Sequence, residues 1–130
     1  MFRDLLNFNG VNWWTLLGGL GSNFILSIGL SLAGTFLTVS LGAESWYAQY
    51  GAPLMILAMF LLTLGAGWLV AKIADAEPVK HVFLSSFGAI VPLVAAAVMS
   101  FNVIPFMMAA VALAGNMNGA MLAVRRRRRP

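Results

Sequence analysis

The chain has 130 residues, 61% of them hydrophobic and 9% charged, with a formal net charge of +4 and a mean hydropathy of +0.89. About 20 apolar residues cross roughly 30 Å of hydrocarbon, so four spans and short connections use up this length and leave no room within it for a soluble domain. Cysteine is absent, which excludes a disulfide framework, a C-x-x-C-H haem attachment and a thiolate-bound iron–sulfur cluster in this chain.

Residues 1–8 are mixed, apolar at Phe2, Leu5, Leu6 and Phe8 and polar at Arg3, Asp4 and Asn7, and suit a turn or two of helix in the inner interface. The uncharged stretch 11–43 is too long for a signal-peptide core and is expected to be an uncleaved anchor. Asn12 is a candidate N-cap, and Trp13 and Trp14 sit where belt aromatics sit. The first span is expected over residues 13–40. An outer loop, 41–51, carries Trp46, Tyr47 and Tyr50. The second span, 52–71, starts with Pro53 in its first turn and brings Trp68 to the inner interface. The inner loop, 72–81, is the charged connection, with Pro78 just ahead of the third helix. Pro92 near the middle of the third span, 82–101, predicts a kink. The run Phe101, Asn102, Val103, Ile104, Pro105 breaks the long apolar stretch 82–124 into a hairpin, and the fourth span follows over 103–124. A basic tail, 125–130, closes the chain. The fold class is all-α, a polytopic membrane protein of four transmembrane helices.

The eight Lys and Arg residues are Arg3, Lys72, Lys80, Arg125, Arg126, Arg127, Arg128 and Arg129. All fall on one side of this topology, and cytoplasmic loops carry the Lys/Arg excess. Both termini are therefore expected in the cytoplasm, at a bacterial inner (plasma) membrane. Each juxtamembrane cation gains about 1 kcal/mol near anionic headgroups. With no recognition module beside the arginines, anionic lipid is the expected counterpart and nucleic acid is not.

Lipid tails are as apolar as leucine, so membrane helices associate through small residues, close backbone approach and interhelical hydrogen bonds. In the first span Asn23, Ser27, Ser31, Gly34 and Thr38 recur at steps of four, four, three and four, which holds them on one face, and Gly19 extends it. The fourth span has Gly115, Asn116, Met117, Asn118, Gly119, a G-x-x-x-G enclosing two amides, flanked by Ala112 and Ala123. Gly67 and Ala71 in the second span and Ser85, Ala89 and Ala96 in the third give each helix a small face. The candidate helix-packing or partner-binding residues are thus Asn23, Ser27, Ser31, Gly34, Gly115, Asn116, Asn118 and Gly119. The two fourth-span amides fit interhelical hydrogen bonds or a polar contact to a quinone or lipid headgroup. Trp13, Trp14, Trp46, Trp68 and Arg125 to Arg129 are the membrane-interface set. Both hairpins cross in the same direction, which excludes an inverted repeat between the halves.

No charged residue falls within a span, whereas proton relays and ion paths need one. A small multidrug exporter would need a carboxylate in its first helix, where this chain has Gly, Asn and Ser. His81 is the sole histidine. A haem held in a bundle commonly needs two axial side chains, so His81 reads either as one ligand to a haem or chlorophyll or as an interfacial polar residue beside Lys80. No catalytic or metal residue is assigned, and no cofactor of its own is expected beyond bound lipid or a nearby quinone.

In size, span number and lack of redox ligands the chain resembles small four-span accessory membrane subunits of bacterial energy-converting complexes, among them the extra small subunit of alternative complex III. Its general shape is also similar to the ATP-synthase assembly protein. The first resemblance implies a menaquinol-oxidising host whose haems and iron–sulfur clusters sit on other subunits. The expected role is a non-catalytic accessory subunit, not an enzyme, packed against transmembrane subunits of a larger hetero-oligomeric complex. The alternatives are an independent homo-oligomeric transporter or channel, and an assembly factor.

Overall fold

A computed structural model describes residues 10–74 and 76–128. The interfacial turn expected over residues 1–8, together with Arg3, Arg129 and the last residue of the basic tail, lies outside the described residues. The described chain is all-helical: α1 Trp13–Leu41, α2 Trp46–Ile73, α3 Pro78–Ser100 and α4 Val103–Arg128. Each holds an 18-residue window of mean hydropathy 1.5 or more, so all four are long and apolar enough to cross a membrane.

Local chemistry sets the ends. Asn12 caps α1 by accepting from the Trp14 and Thr15 amides, and Gly42 stops it at φ +81, a conformation glycine adopts without a Cβ clash. Ser45 accepts from the Ala48 amide at 3.3 Å and opens α2. Phe101, left-handed at φ 51, ends α3, and Asn102 starts α4 by accepting from the Ile104 amide at 3.0 Å.

Three details differ from the expectation. Because Ser45 caps it, α2 starts at Trp46 and not at residue 52, so Pro53 lies inside the helix and not in its first turn. Tyr47, expected in the outer loop, is instead buried in α2 and donates its hydroxyl to the Gly34 carbonyl of α1 at 3.3 Å. Pro78 takes the first position of α3, where its missing N–H costs nothing.

Around the bundle the helices follow the order α1, α2, α4, α3, which puts α1 and α4 on opposite corners. Two parallel pairs hold it together, both through glycine. Between α2 and α4, a Cβ at Gly67 would strike the Asn116 backbone, one at Gly115 the Thr63 hydroxyl and Phe60 carbonyl, and one at Gly119 the Leu64 carbonyl and Trp68 amide. Thr63, Gly67 and Ala71 thus lie along Gly115, Gly119 and Ala123 at matching steps of four. Between α1 and α3, Gly19 lies against the Ser85 side chain and Gly88 against the Leu20 carbonyl. Packing of this kind replaces the hydrophobic drive that lipid removes.

The core is layered. Met59, Ala89, Leu93, Met108, Ala109 and Ala112 form one apolar cluster toward the Trp46 end. Val70, Ala71, Val82, Ala120 and Ala123 form a second toward the Lys72 end. Between them each helix contributes a buried polar side chain. Beyond Ser27, α1 buries no residue at all.

Replacing Gly119 with alanine should lower the unfolding midpoint in detergent by the equivalent of about 1–3 kcal/mol, because its Cβ meets backbone that cannot yield. Gly65 has open space around it, so Gly65→Ala should leave stability unchanged or raise it by about 0.5–1 kcal/mol. Equal effects at both positions would contradict the seam.

Candidate functional site

The polar layer is built from Asn23 and Ser27 of α1, Thr63 of α2, Ser85 and Ser86 of α3, and Asn116 of α4, all essentially buried. Its centre is an amide pair. Asn116 donates through Nδ2 to Asn23 Oδ1 at 2.8 Å, across the diagonal where the α1 and α4 backbones do not meet. Asn23 Nδ2 donates to the Gly19 carbonyl at 3.0 Å, and Asn116 Nδ2 also reaches the Ala112 carbonyl at 2.9 Å. Thr63 donates to the Met59 carbonyl at 2.6 Å, and Ser86 to the Phe83 carbonyl at 2.6 Å. Among the described residues, Ser85 Oγ and Asn116 Oδ1 have no hydrogen-bond partner. The layer is neutral throughout. It can orient helices and hold a hydrogen-bonding group, but its side chains carry no titrating carboxylate.

A second polar contact ties the helix starts together. The Asn12 amide donates to His81 Nε2 at 2.9 Å, and His81 Nδ1 meets the Glu77 carbonyl at 3.0 Å. Nε2 therefore carries no proton and Nδ1 does. His81 is 1% exposed, so it sits inside the bundle and not at an interface. A metal or haem iron would have to displace one of these two bonds. Beside it, Lys80 pairs with Glu77 at 3.3 Å, and Glu77 holds a left-handed backbone at φ 50. Among the described residues no group of three or more His, Cys, Asp or Glu gathers as a metal site.

The candidate residues divide into two sets. Asn23, Ser27, Gly115, Asn116 and Gly119 are buried within this one bundle. Ser31 and Asn118 are exposed and Gly34 is half-buried. Ser31, Gly34, Thr35 and Thr38 border a lateral cleft of about 600 Å³, closed on its other sides by Tyr47, Met55 and Met108. Each of its α1 hydroxyls turns back on its own helix: Ser31 to the Ser27 carbonyl, Thr35 to Ser31 and Thr38 to Gly34, at 2.8–3.0 Å. The hydroxyl protons of the cleft wall are therefore spent within α1, and its oxygens keep lone pairs that can accept. Trp13, Trp14 and Trp46 are exposed at helix ends. Trp68 is half-buried with Lys72 Nζ 4.7 Å from its ring, and Arg125 and Arg126 are exposed on the last turns of α4. Thr63, Ser86 and the Asn12–His81 contact were not singled out from sequence. Thr63 carried a signal, its step of four to Gly67 and Ala71.

The four helices fit a multi-pass membrane protein of all-α fold. Comparison with protein-family models, curated proteins and solved structures finds no match.

Asn23→Leu or Asn116→Leu alone strands the other amide and should cost about 1–3 kcal/mol. The double variant should cost less than the sum of the two, with a coupling of about 0.6–1.7 kcal/mol in a double-mutant cycle. Strict additivity would mean the amide pair is not formed. His81→Leu should expose the Asn12 amide to hydrogen exchange while leaving the Asn23–Asn116 pair protected; an unchanged Asn12 rate would rule out the tether.

Proposed function

We propose that this protein is a non-catalytic accessory subunit of a larger membrane-embedded, quinol-oxidising electron-transfer complex, in which it packs against partner helices and lipid. The observation that carries this reading is the half of α1 beyond Ser27. Its small-residue face continues through Ser31, Gly34 and Thr38, yet no residue there is buried. A face suited to close helix approach, met by Tyr47 and Met55 at Gly34 but exposed at Ser31 and Thr38 along a cleft of about 600 Å³, fits a transmembrane helix of another subunit. The quinol-oxidising host follows from the likeness to the extra subunit of alternative complex III. The orientation follows from charge: Lys72, Lys80, Arg125 and Arg126 share one end of the bundle, consistent with cytoplasmic termini in a bacterial plasma membrane. Its cofactors would be none beyond bound lipid or a quinone held nearby by the host.

A second reading rests on the polar layer, to which all four helices contribute: an independent homo-oligomeric transporter or channel. Apolar clusters on both sides of that layer weigh against an open path. An assembly factor, such as one for ATP synthase, would use the same face only during biogenesis.

Native purification in mild detergent separates these readings. The accessory subunit should migrate in a hetero-complex far larger than its own 13.9 kDa, and Ser31→Leu or Thr35→Leu should release it while the isolated bundle melts as the wild type does. Both positions are exposed, so the bundle tolerates them. Migration as a small homo-oligomer would favour the transporter, and association only with immature complexes the assembly factor. Normal co-migration of both variants would remove α1 as the docking face.

A further inference from the structure

We propose that the seam between α2 and α4 at the basic end is a binding site for one anionic membrane phospholipid. The inference rests on the membrane-spanning reading but not on the accessory-subunit one. A groove of about 370 Å³ lies along the seam, walled by Phe60 and Leu64 of α2 and by Met121 and Leu122 of α4, with Asn118 beside them and Arg125 at its end. One turn further toward the basic end, a second groove of about 310 Å³ joins Trp68 and Lys72 of α2 to Ala123 and Arg126 of α4. Phe60, Leu64, Trp68 and Lys72 recur every four residues, so they form one ridge that borders both grooves.

Polarity along this ridge follows the profile of a phospholipid. Phe60 and Leu64 come first, then the Trp68 indole on α2 beside Met121 and Leu122 on α4, and Lys72, Arg125 and Arg126 close the basic end. The ridge from Phe60 to Lys72 rises about 18 Å, close to the roughly 15 Å of one hydrocarbon leaflet. Lys72 lies over the Trp68 ring, 4.7 Å from its centroid, beside Arg126 in the second groove. Among the described residues no carboxylate lines either groove, and Arg125 and Arg126 are exposed there, so the charge balance favours a net negative headgroup over a zwitterionic one. Apolar walls several residues long select an acyl chain, which a free phosphate lacks. By contrast, among the described residues no charged side chain lines the grooves along the α1–α2 seam.

The test uses the purified full chain in detergent, titrated with phosphatidylglycerol or phosphatidylcholine and read by native mass spectrometry. Wild type should hold one phosphatidylglycerol in preference to phosphatidylcholine. Arg125→Gln and Arg126→Gln should each weaken that retention about five-fold. Leu122→Trp keeps the charge and fills the groove, and should weaken it to a similar degree; Met121→Trp serves if the first variant melts early. Equal retention of both lipids, displacement by the same concentration of inorganic phosphate, or arginine effects without any effect of the groove-filling variants would overturn the proposal. The readout is independent of any partner, so a negative result here leaves the accessory-subunit reading to its own test.

Discussion

Helices in hydrocarbon gain nothing by hiding leucine from leucine, so this bundle depends on how closely its backbones approach. Glycine makes that approach possible at Gly19, Gly67, Gly88, Gly115 and Gly119, each positioned where a Cβ would meet a neighbouring helix. Because the contacts at Gly67, Gly88, Gly115 and Gly119 are with backbone, the neighbour cannot give way as a flexible side chain would. The α2–α4 and α1–α3 seams follow from this, and the remaining packing is arranged around them.

Close approach also makes a polar interior tolerable. A buried amide without a partner costs on the order of 1–3 kcal/mol, and the Asn23–Asn116 bond spans the one diagonal whose backbones stay apart. The pair therefore sets the distance between α1 and α4, which no glycine contact sets. At the basic end, His81 does the equivalent for α1 and α3 through the Asn12 amide. Thr63 and Ser86 turn onto carbonyls of their own helices, whereas Tyr47 reaches the Gly34 carbonyl of α1 and Ser85 Oγ has no partner.

The same geometry leaves two surfaces that this bundle does not fully cover. Beyond Ser27 the small face of α1 is only partly covered, met at Gly34 by Tyr47 and Met55 and exposed at Ser31 and Thr38, and at the basic end the α2–α4 seam opens into grooves edged with cations. The first suits a helix and the second suits a lipid. Both proposals place the protein's function at its perimeter and give the interior the task of holding shape, in keeping with the neutral side chains of its polar layer.

Much of the architecture was legible in the residues alone. Asn12 and Asn102 mark helix starts through their side-chain oxygens, and apolar length sets the number of helices. Small residues at steps of four announced which faces pack, since that spacing is a property of one helix. Which face meets which is a property of the assembled bundle. Gly115 and Gly119 could serve equally against a foreign helix or α2; only the fold pairs them with Thr63, Gly67 and Ala71. Likewise the stripe from Asn23 to Thr38 is continuous in sequence but divided in space at Ser27, because the bundle buries only the part of α1 beside the Gly19–Ser85 contact. Tyr47 and His81, polar residues near chain turns, read as interfacial until tertiary packing buried them, for burial depends on neighbours that local sequence does not contain.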